Sequence, residues 1–189
     1  MMRQCGDCQL CCKLLPVPPL GKKAGERCRH QKFGKGCKVY HGPGMPSECG
    51  LWNCRWLVNN DTAELSRPDK SRYVIDIMPD YITLQDNATE ATTSIQVVQI
   101  WIDPAHPHAH RDPALRAYLL RRGQEGIAAL ARYDARRAVT IIPPNMIGEG
   151  NAPDDWLQAD GWIEVPYNSP NVAVEHDHTM ADTLKALSR

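Results

Sequence analysis

The sequence predicts an α+β fold in which a small, loop-rich cysteine module precedes a sheet with packed helices. All eight cysteines lie within the first 54 of the 189 residues. Runs of apolar and β-branched residues that are typical of strands begin only later, at residues 73–78, 81–85 and 94–101. We therefore expect two parts, a cysteine-rich module at residues 1–57 and an α+β domain at residues 58–189.

The overall composition argues against a membrane or nucleic-acid partner. The chain has 22 Lys and Arg against 22 Asp and Glu, with a pI near 7.0. A mean hydropathy of -0.46 and the lack of any run of about 18 apolar residues exclude a membrane span and predict a soluble protein. The apolar stretch at residues 14–20 is short and interrupted by three prolines, unlike a signal peptide. We therefore expect a cytoplasmic location.

The zero net charge conceals two unlike parts. Residues 1–56 hold 10 Lys and Arg against 3 Asp and Glu, whereas the remaining 133 residues hold 12 against 19. The same 56 residues carry 13 of the 28 Gly and Pro. A segment so rich in loops needs disulfides or a metal to offset its ordering entropy. A basic face for nucleic acid is the alternative, but no aromatic-interleaved basic run accompanies the charge.

The cysteine spacing favours metal ligation over disulfides. A disulfide framework would require an oxidising compartment, which no targeting segment indicates. The pattern Cys5-x2-Cys8-x2-Cys11-Cys12 places four sulfurs within eight residues, so that backbone N–H groups can point at thiolates around a cation. We predict that all eight cysteines bind metal or cofactor: Cys5, Cys8, Cys11, Cys12, Cys28, Cys37, Cys49 and Cys54.

Two kinds of metal centre fit this pattern. Three cysteines at successive two-residue gaps match ferredoxin segments that wrap an iron–sulfur cluster, and we favour this interpretation. Zinc is the alternative, because Cys49-x4-Cys54 could close a zinc site with half of the N-terminal cluster. Adjacent thiolates hardly fit one tetrahedral site, so we expect Cys11 and Cys12 to bind different metals, or one of them to bridge. Eight ligands then make two four-cysteine sites.

The cysteine pattern resembles the CxxCxxCC cysteine-cluster proteins, which are described as zinc- or iron-chelating. The opening residues 5–12 match the motif of that name, and residues 28–40 resemble the second block of the family. The similarity continues through residues 49–57 and Arg67-Pro68-Asp69, although Met45 stands where the family has an arginine. The resemblance implies metal binding through all eight cysteines, with iron–sulfur and zinc both proposed for the family.

Three function classes follow from a metal-binding cysteine module. The first is a metalloprotein with a redox or sensing role. The second is a structural zinc module of an interaction or assembly protein, and the third is a cluster-dependent enzyme. One branch of the resembling family is associated with lysine methylation of flagellin, but the chain has neither G-x-G-x-x-G nor a P-loop. The sequence indicates no catalytic residue, and it leaves a protein partner open.

The part without cysteines reads as alternating strands and helices. Residues 73–78 and 81–85 predict a hairpin around Pro79-Asp80, and residues 94–101 a third strand. Asp112-Pro113 predicts the start of a helix. The remaining predictions are a second helix paired with it at residues 124–136, strands at 139–142, 162–165 and 172–174, and a helix at 180–187.

Histidines and tryptophans supply two further candidates. His106, His108 and His110 alternate, as do the side chains of residues 175–178, and the two groups would make a metal site if they met. We favour an exposed loop, because Pro104 and Pro107 mark an irregular segment. Trp52 and Trp56 lie four residues apart, which predicts packing on one helical turn over the cysteine module.

Overall fold

The computed structural model describes residues 3–85, 92–134, 136–147, 156–166 and 172–173. The predicted α+β class is confirmed. The helices are α1 (Leu10–Leu14), α2 (Ser47–Leu51), α3 (Arg55–Val58), α4 (Pro68–Ser71) and α5 (Pro113–Gln124). The strands are β1 (Gln31–Lys32), β2 (Gly36–Cys37), β3 (Tyr73–Gln85), β4 (Thr92–Ile102), β5 (Ala128–Arg132), β6 (Ala138–Ile142), β7 (Ile163–Pro166) and β8 (Val172–Ala173).

Six strands form one mixed sheet in the order β7-β6-β5-β4-β3-β8. β4 and β5 are parallel, and every other neighbouring pair is antiparallel. The predicted strands at residues 94–101, 139–142 and 162–165 are confirmed. The strand predicted at residues 172–174 corresponds to β8, with Val174 outside the described residues. The predicted helix at residues 180–187 also lies outside them.

The predicted hairpin at Pro79-Asp80 is wrong. Residues 73–85 form the single strand β3, whose register against β4 shifts between Ile75 and Pro79. Proline lacks the N–H group that a regular ladder requires, so it is tolerated where the pairing is irregular. The two predicted strands are therefore one strand, which pairs with β4 and β8 on either side.

The predicted helix at residues 124–136 is also wrong. The helix α5 begins as predicted, with Asp112 Oδ1 accepting a hydrogen bond of 3.1 Å from the Ala114 N–H. The chain turns at Gly126, where φ is +74°, and continues as the strand β5 between β4 and β6. All five residues of β5 are buried, so pairing on both edges outweighs the helix propensity of its alanines. The sheet face therefore carries α5 rather than a pair of helices.

The two faces of the sheet pack against different partners. Tyr73 and Ile75 of β3 join the side chains of α5 in the main core, together with Ile100 of β4. Val74 and Trp101, which point the opposite way because strand side chains alternate, pack against α1 and several cysteines. The cysteine segment, residues 3–58, therefore lies on the sheet face opposite α5.

Polar contacts also tie the cysteine segment to the rest of the chain. Lys13 Nζ of α1 lies 2.6 Å from Asp103 Oδ1, just after β4. Arg3 donates hydrogen bonds of 2.8 Å to the hydroxyl and the carbonyl of Thr62, and its guanidinium stacks on Trp56. The boundary that we predicted after residue 57 stays a prediction. Of the helices in the described ranges, none has the length and apolar character needed to cross a membrane.

Candidate metal centre

The N-terminal cysteines sit on a turn that leads into α1. Gly6 between Cys5 and Cys8 adopts φ +55°, which only glycine takes readily, and the Cys8 N–H donates to the Cys5 carbonyl at 3.0 Å. Cys11 and Cys12 follow within α1. Adjacent residues on a helix diverge by about 100° around its axis. The side chains of Cys11 and Cys12 therefore leave α1 in different directions.

Four cysteines from three stretches of the chain surround one small cavity. Cys5, Cys8 and Cys11 come from the N-terminal turn and α1, and Cys54 from the residue before α3. The cavity has a volume of about 20 Å³, and its other walls are Trp56, Leu57, Pro68 and Val74. We call Cys5, Cys8, Cys11 and Cys54 the inner tetrad.

The other four cysteines lie together on loops and short elements further from the sheet. Burial raises the pKa of Cys49 to about 11, and the nearby Cys12, Cys28 and Cys37 add to this effect. The Cys28 N–H donates to the Cys12 carbonyl at 3.2 Å, so these two residues are held side by side. We call Cys12, Cys28, Cys37 and Cys49 the outer tetrad. All eight cysteines border a groove of about 540 Å³.

Backbone amides favour a charged sulfur at two inner cysteines. Burial raises the pKa of Cys8, while hydrogen bonds from the N–H groups of Leu10 and Asp69 act to lower it. Burial likewise raises the pKa of Cys54 to about 12, against hydrogen bonds from Trp56 and Leu57. Amides aimed at sulfur are the pattern expected around metal-bound thiolates, because they stabilise negative charge.

Cys11 and Cys12 stand at the junction of the two tetrads. A side-chain hydrogen bond between them raises the pKa of Cys11 well above its usual value and lowers that of Cys12. Their sulfurs are therefore close to each other in this structure. The assignment of these cysteines to different metals stays a prediction.

Arg67 is an ordered cation beside the inner tetrad. Its guanidinium lies 2.8 Å from Asp7 in the Cys5–Cys8 turn and 2.6 Å from Asp69. Its positive charge acts to lower the pKa of both Cys5 and Cys8, although burial dominates at each. Arg67 therefore braces the turn and offsets negative charge on it.

Lys22 is a buried cation beside the outer tetrad. The residue is 7% exposed, and its ammonium donates to the carbonyls of Lys13, Leu15 and Lys23. Burial lowers the pKa of Lys22, while Cys28 and Cys12 act to raise it. No carboxylate in the described part of the chain lies within ion-pair distance of its Nζ. The thiols are thus among the few groups nearby that could neutralise this charge.

The donor chemistry fits a metal centre, but the sulfurs are not arranged as ligands. All eight cysteines are free thiols. Within the residues that the structure describes, no three His, Cys, Asp or Glu side chains are placed so that they could hold a metal ion. Thiols that border one cavity can converge by rotation of their side chains, because several rotamers are accessible at each position. Metal binding therefore requires this local rearrangement.

The alternating histidines do not form one site. His106 and His108 are exposed, whereas His110 is buried and its Nδ1 lies 3.0 Å from the Pro107 carbonyl and 3.2 Å from the Tyr133 hydroxyl. The His108 and His110 rings lie 6.4 Å apart, but the three histidines form no metal-binding group within the described residues. The second group, at residues 175–178, lies outside the described residues.

The two tryptophans do not share a helical turn, contrary to their spacing. Trp52 follows α2 and packs with the inner cysteines, whereas Trp56 lies in α3 and packs against the main core. Residues 53 and 54 between them are not helical, because the chain is extended where Cys54 pairs with Asp76 of β3. This bridge brings Cys54 to the N-terminal cysteines.

Sequence reasoning missed the roles of Lys22 and Arg67. Lys22 looks like half of an exposed Lys-Lys pair, and only its burial distinguishes it from Lys23. Arg67 and Asp69 carry part of the resemblance to the CxxCxxCC proteins, which was the one signal for them. Contacts between residues far apart in the sequence decide both roles.

Comparison with known proteins does not identify a function for the cysteine site. The candidate site therefore rests on eight thiols in two neighbouring groups, each with its own cation. No family model matches the chain, and no curated protein or solved structure matches it either.

Proposed function

We propose that this chain is a metal-binding protein whose eight cysteines form two sites, the inner tetrad and the outer tetrad. The observation that carries the proposal is the cavity lined by Cys5, Cys8, Cys11 and Cys54. The fourth of these residues lies more than forty positions from the third. Cysteines that come from distant parts of a chain and line one small cavity are typical of a site for a shared metal ion.

The charges and amides around the thiols support the same proposal. Four thiolates on one divalent ion leave a net negative charge that the surroundings must offset. Arg67 lies beside the inner tetrad and Lys22 beside the outer tetrad, within a segment of excess positive charge. The thiolates would bind the metal, and the amides of Leu10, Trp56 and Leu57 would hold two of the sulfurs in place.

The identity of the metal has one argument on each side. The Cys5, Cys8, Cys11 spacing favours an iron–sulfur cluster, which would supply one-electron transfer and hence a redox or sensing role. The inner cavity of about 20 Å³ favours zinc there, because it holds little more than one water-sized body. Zinc would act as a structural staple for an interaction or assembly protein.

The wider assignment follows from the same residues. We propose that the chain is related to the CxxCxxCC cysteine-cluster proteins and works in the cytoplasm, where thiols stay reduced. The resemblance in residues 5–12 and 28–40 supports the first statement, and eight free thiols are compatible with the second. A cluster-dependent enzyme would need a substrate pocket, and the groove of about 540 Å³ beside the cysteines is the place for one.

The test is the amount of iron, zinc and acid-labile sulfide per chain after purification without oxygen. Iron with matching sulfide supports cluster binding, and zinc without sulfide supports the structural role. Cys8→Ser and Cys37→Ser should each lower the metal content, while Ser47→Ala, a substitution on α2 next to the outer tetrad, should not. A chain that contains neither metal and takes up neither on reconstitution would overturn the proposal.

A further inference from the structure

The inner tetrad lies where the cysteine segment packs against the sheet. Its cysteines pack with Val74 of β3 and Trp101 of β4, and Cys54 pairs directly with Asp76. A metal held there would be surrounded by buried side chains. The four cysteines also border the wide groove, but on their other side the metal would be covered by the sheet.

The outer tetrad has no comparable cover in the described part of the chain. None of its four cysteines belongs to a described hydrophobic cluster. Cys49 is exposed. All eight cysteines border the wide groove, but the outer four do not line the small cavity beside the sheet. They are carried by α1, α2, β2 and the turn at Cys28, all of which are short. Small molecules in solution can therefore reach these sulfurs.

We propose that the two sites differ in how readily they exchange metal. The outer tetrad is an exchangeable site that releases and binds its metal through the groove. The inner tetrad retains its metal and is a structural site. This inference rests on the proposed function. The groove carries Arg3 and Lys35 against Glu48, so it suits small anionic chelators that compete for the metal. In each exchange the metal passes between thiolates of the chain and oxygen or sulfur donors of the chelator, without a change of oxidation state.

The experiment follows metal loss from the full chain as purified, with its bound metal counted beforehand. After addition of EDTA, metal release should show two phases whose rates differ at least tenfold. Cys49→Ser should remove the fast phase, and Cys54→Ser should remove the slow phase. Release in one phase, or loss of the same phase in both variants, would overturn the proposed difference in metal exchange while leaving metal binding itself supported.

A second measurement needs no variant and so does not depend on how Cys54→Ser folds. Iodoacetamide added during EDTA treatment of the unaltered chain labels thiols as they lose metal, and fragment-ion mass spectrometry locates the label. Cys12, Cys28, Cys37 and Cys49 should be labelled before the inner tetrad. Simultaneous labelling, or earlier labelling of the inner tetrad, would overturn the inference. A chain that holds no metal at the start and takes up none on reconstitution would instead refute the proposed function.

Discussion

The cysteine segment, residues 3–58, and the sheet with α5 are stabilised in different ways. The sheet buries long strands and the apolar side of α5 in a continuous core. The cysteine segment has elements of two to five residues, and beyond α1 most of its side chains are partly or fully exposed. Burial alone explains the order of the sheet but not that of the segment. The difference teaches that burial leaves part of the order of the segment to another source. We expect metal bound by the thiols to be that source, and this expectation can be tested from either region.

Metal removal should have the largest effect, and it should be confined to the cysteine segment. Structural zinc contributes about 10–16 kcal/mol of apparent binding free energy in small peptides, which is large compared with the stability of a whole small domain. EDTA with a reductant should therefore expose Lys and Arg residues 13–38 to trypsin, while the sheet resists cleavage. Mass spectrometry of the fragments reads this out.

Restoring the metal is the control for this first prediction. Zinc or iron with sulfide, added back before trypsin, should recover the resistance of the segment. Cys8→Ser should behave like the chelated chain even without EDTA. Equal resistance with and without metal would show that the segment is held by its own packing.

A core substitution in α5 should destabilise the sheet and leave the metal content unchanged, the reverse of the effect expected from metal removal. Leu119 is fully buried against the sheet, so Leu119→Ala should lower the free energy of unfolding of the sheet by about 2–5 kcal/mol. Leu120 is the matched control, because it is 37% exposed on the same helix and should cost less than about 1 kcal/mol when changed to alanine. Denaturant unfolding measures stability, and metal analysis should show no change. Loss of metal in Leu119→Ala would mean that the two regions are not independent.

The sequence predicted those parts of the fold whose signals are local. Asp112-Pro113 marks the start of α5 through its own capping bond, and the alternation in residues 94–101 marks β4. Residues 128–132 read Ala-Ala-Leu-Ala-Arg, which by propensity favours a helix, and only pairing with β4 and β6 makes them a strand. Local pattern cannot show such long-range pairing.

For the candidate site, too, the sequence predicted the local features and not the long-range ones. The spacing of Cys5, Cys8, Cys11 and Cys12 predicted that they would act together. The sequence could not show which later cysteines join them, because Cys54 is brought back by its pairing with Asp76. Nor could it show the burial of Lys22, which depends on carbonyls of the α1 segment folding around its ammonium.

A half-buried carboxylate gives a smaller, pH-dependent test of the sheet. Burial acts to raise the pKa of Glu164, but the nearby His110, whose Nε2 lies 3.5 Å from Oε1, and hydrogen bonds from Arg111 outweigh it and lower the pKa to about 2. A carboxyl with a depressed folded-state pKa stabilises the protein above its unfolded value and loses that contribution as pH falls through the folded value. Glu164→Gln should therefore cost about 2 kcal/mol at pH 7.

The difference in free energy of unfolding between Glu164→Gln and the unaltered chain should shrink between about pH 4.5 and pH 2, because Glu164 takes up its proton in this range. Urea unfolding at several pH values measures it. Glu125→Gln is the control, because Glu125 forms an exposed pair with Arg122 and should change little. A difference that persists unchanged at pH 2 would rule out ionised Glu164 as its source.

The smallest expected effect concerns Lys22 and separates the two tetrads. Lys22→Met keeps the apolar stem but removes the buried charge beside Cys12 and Cys28, so thiolate charge on the outer tetrad loses its compensation. Metal affinity at one of the two sites should fall about tenfold, equivalent to about 1.4 kcal/mol, as measured by competition with a chelator. Lys23→Met is the matched control, since Lys23 is exposed one position along and should leave both affinities unchanged.

A purely structural Lys22 would instead lower the stability of the metal-free chain and leave both metal affinities unchanged. Loss at both sites together would mean that the tetrads behave as one centre, because a charge beside the outer thiols then acts on all eight.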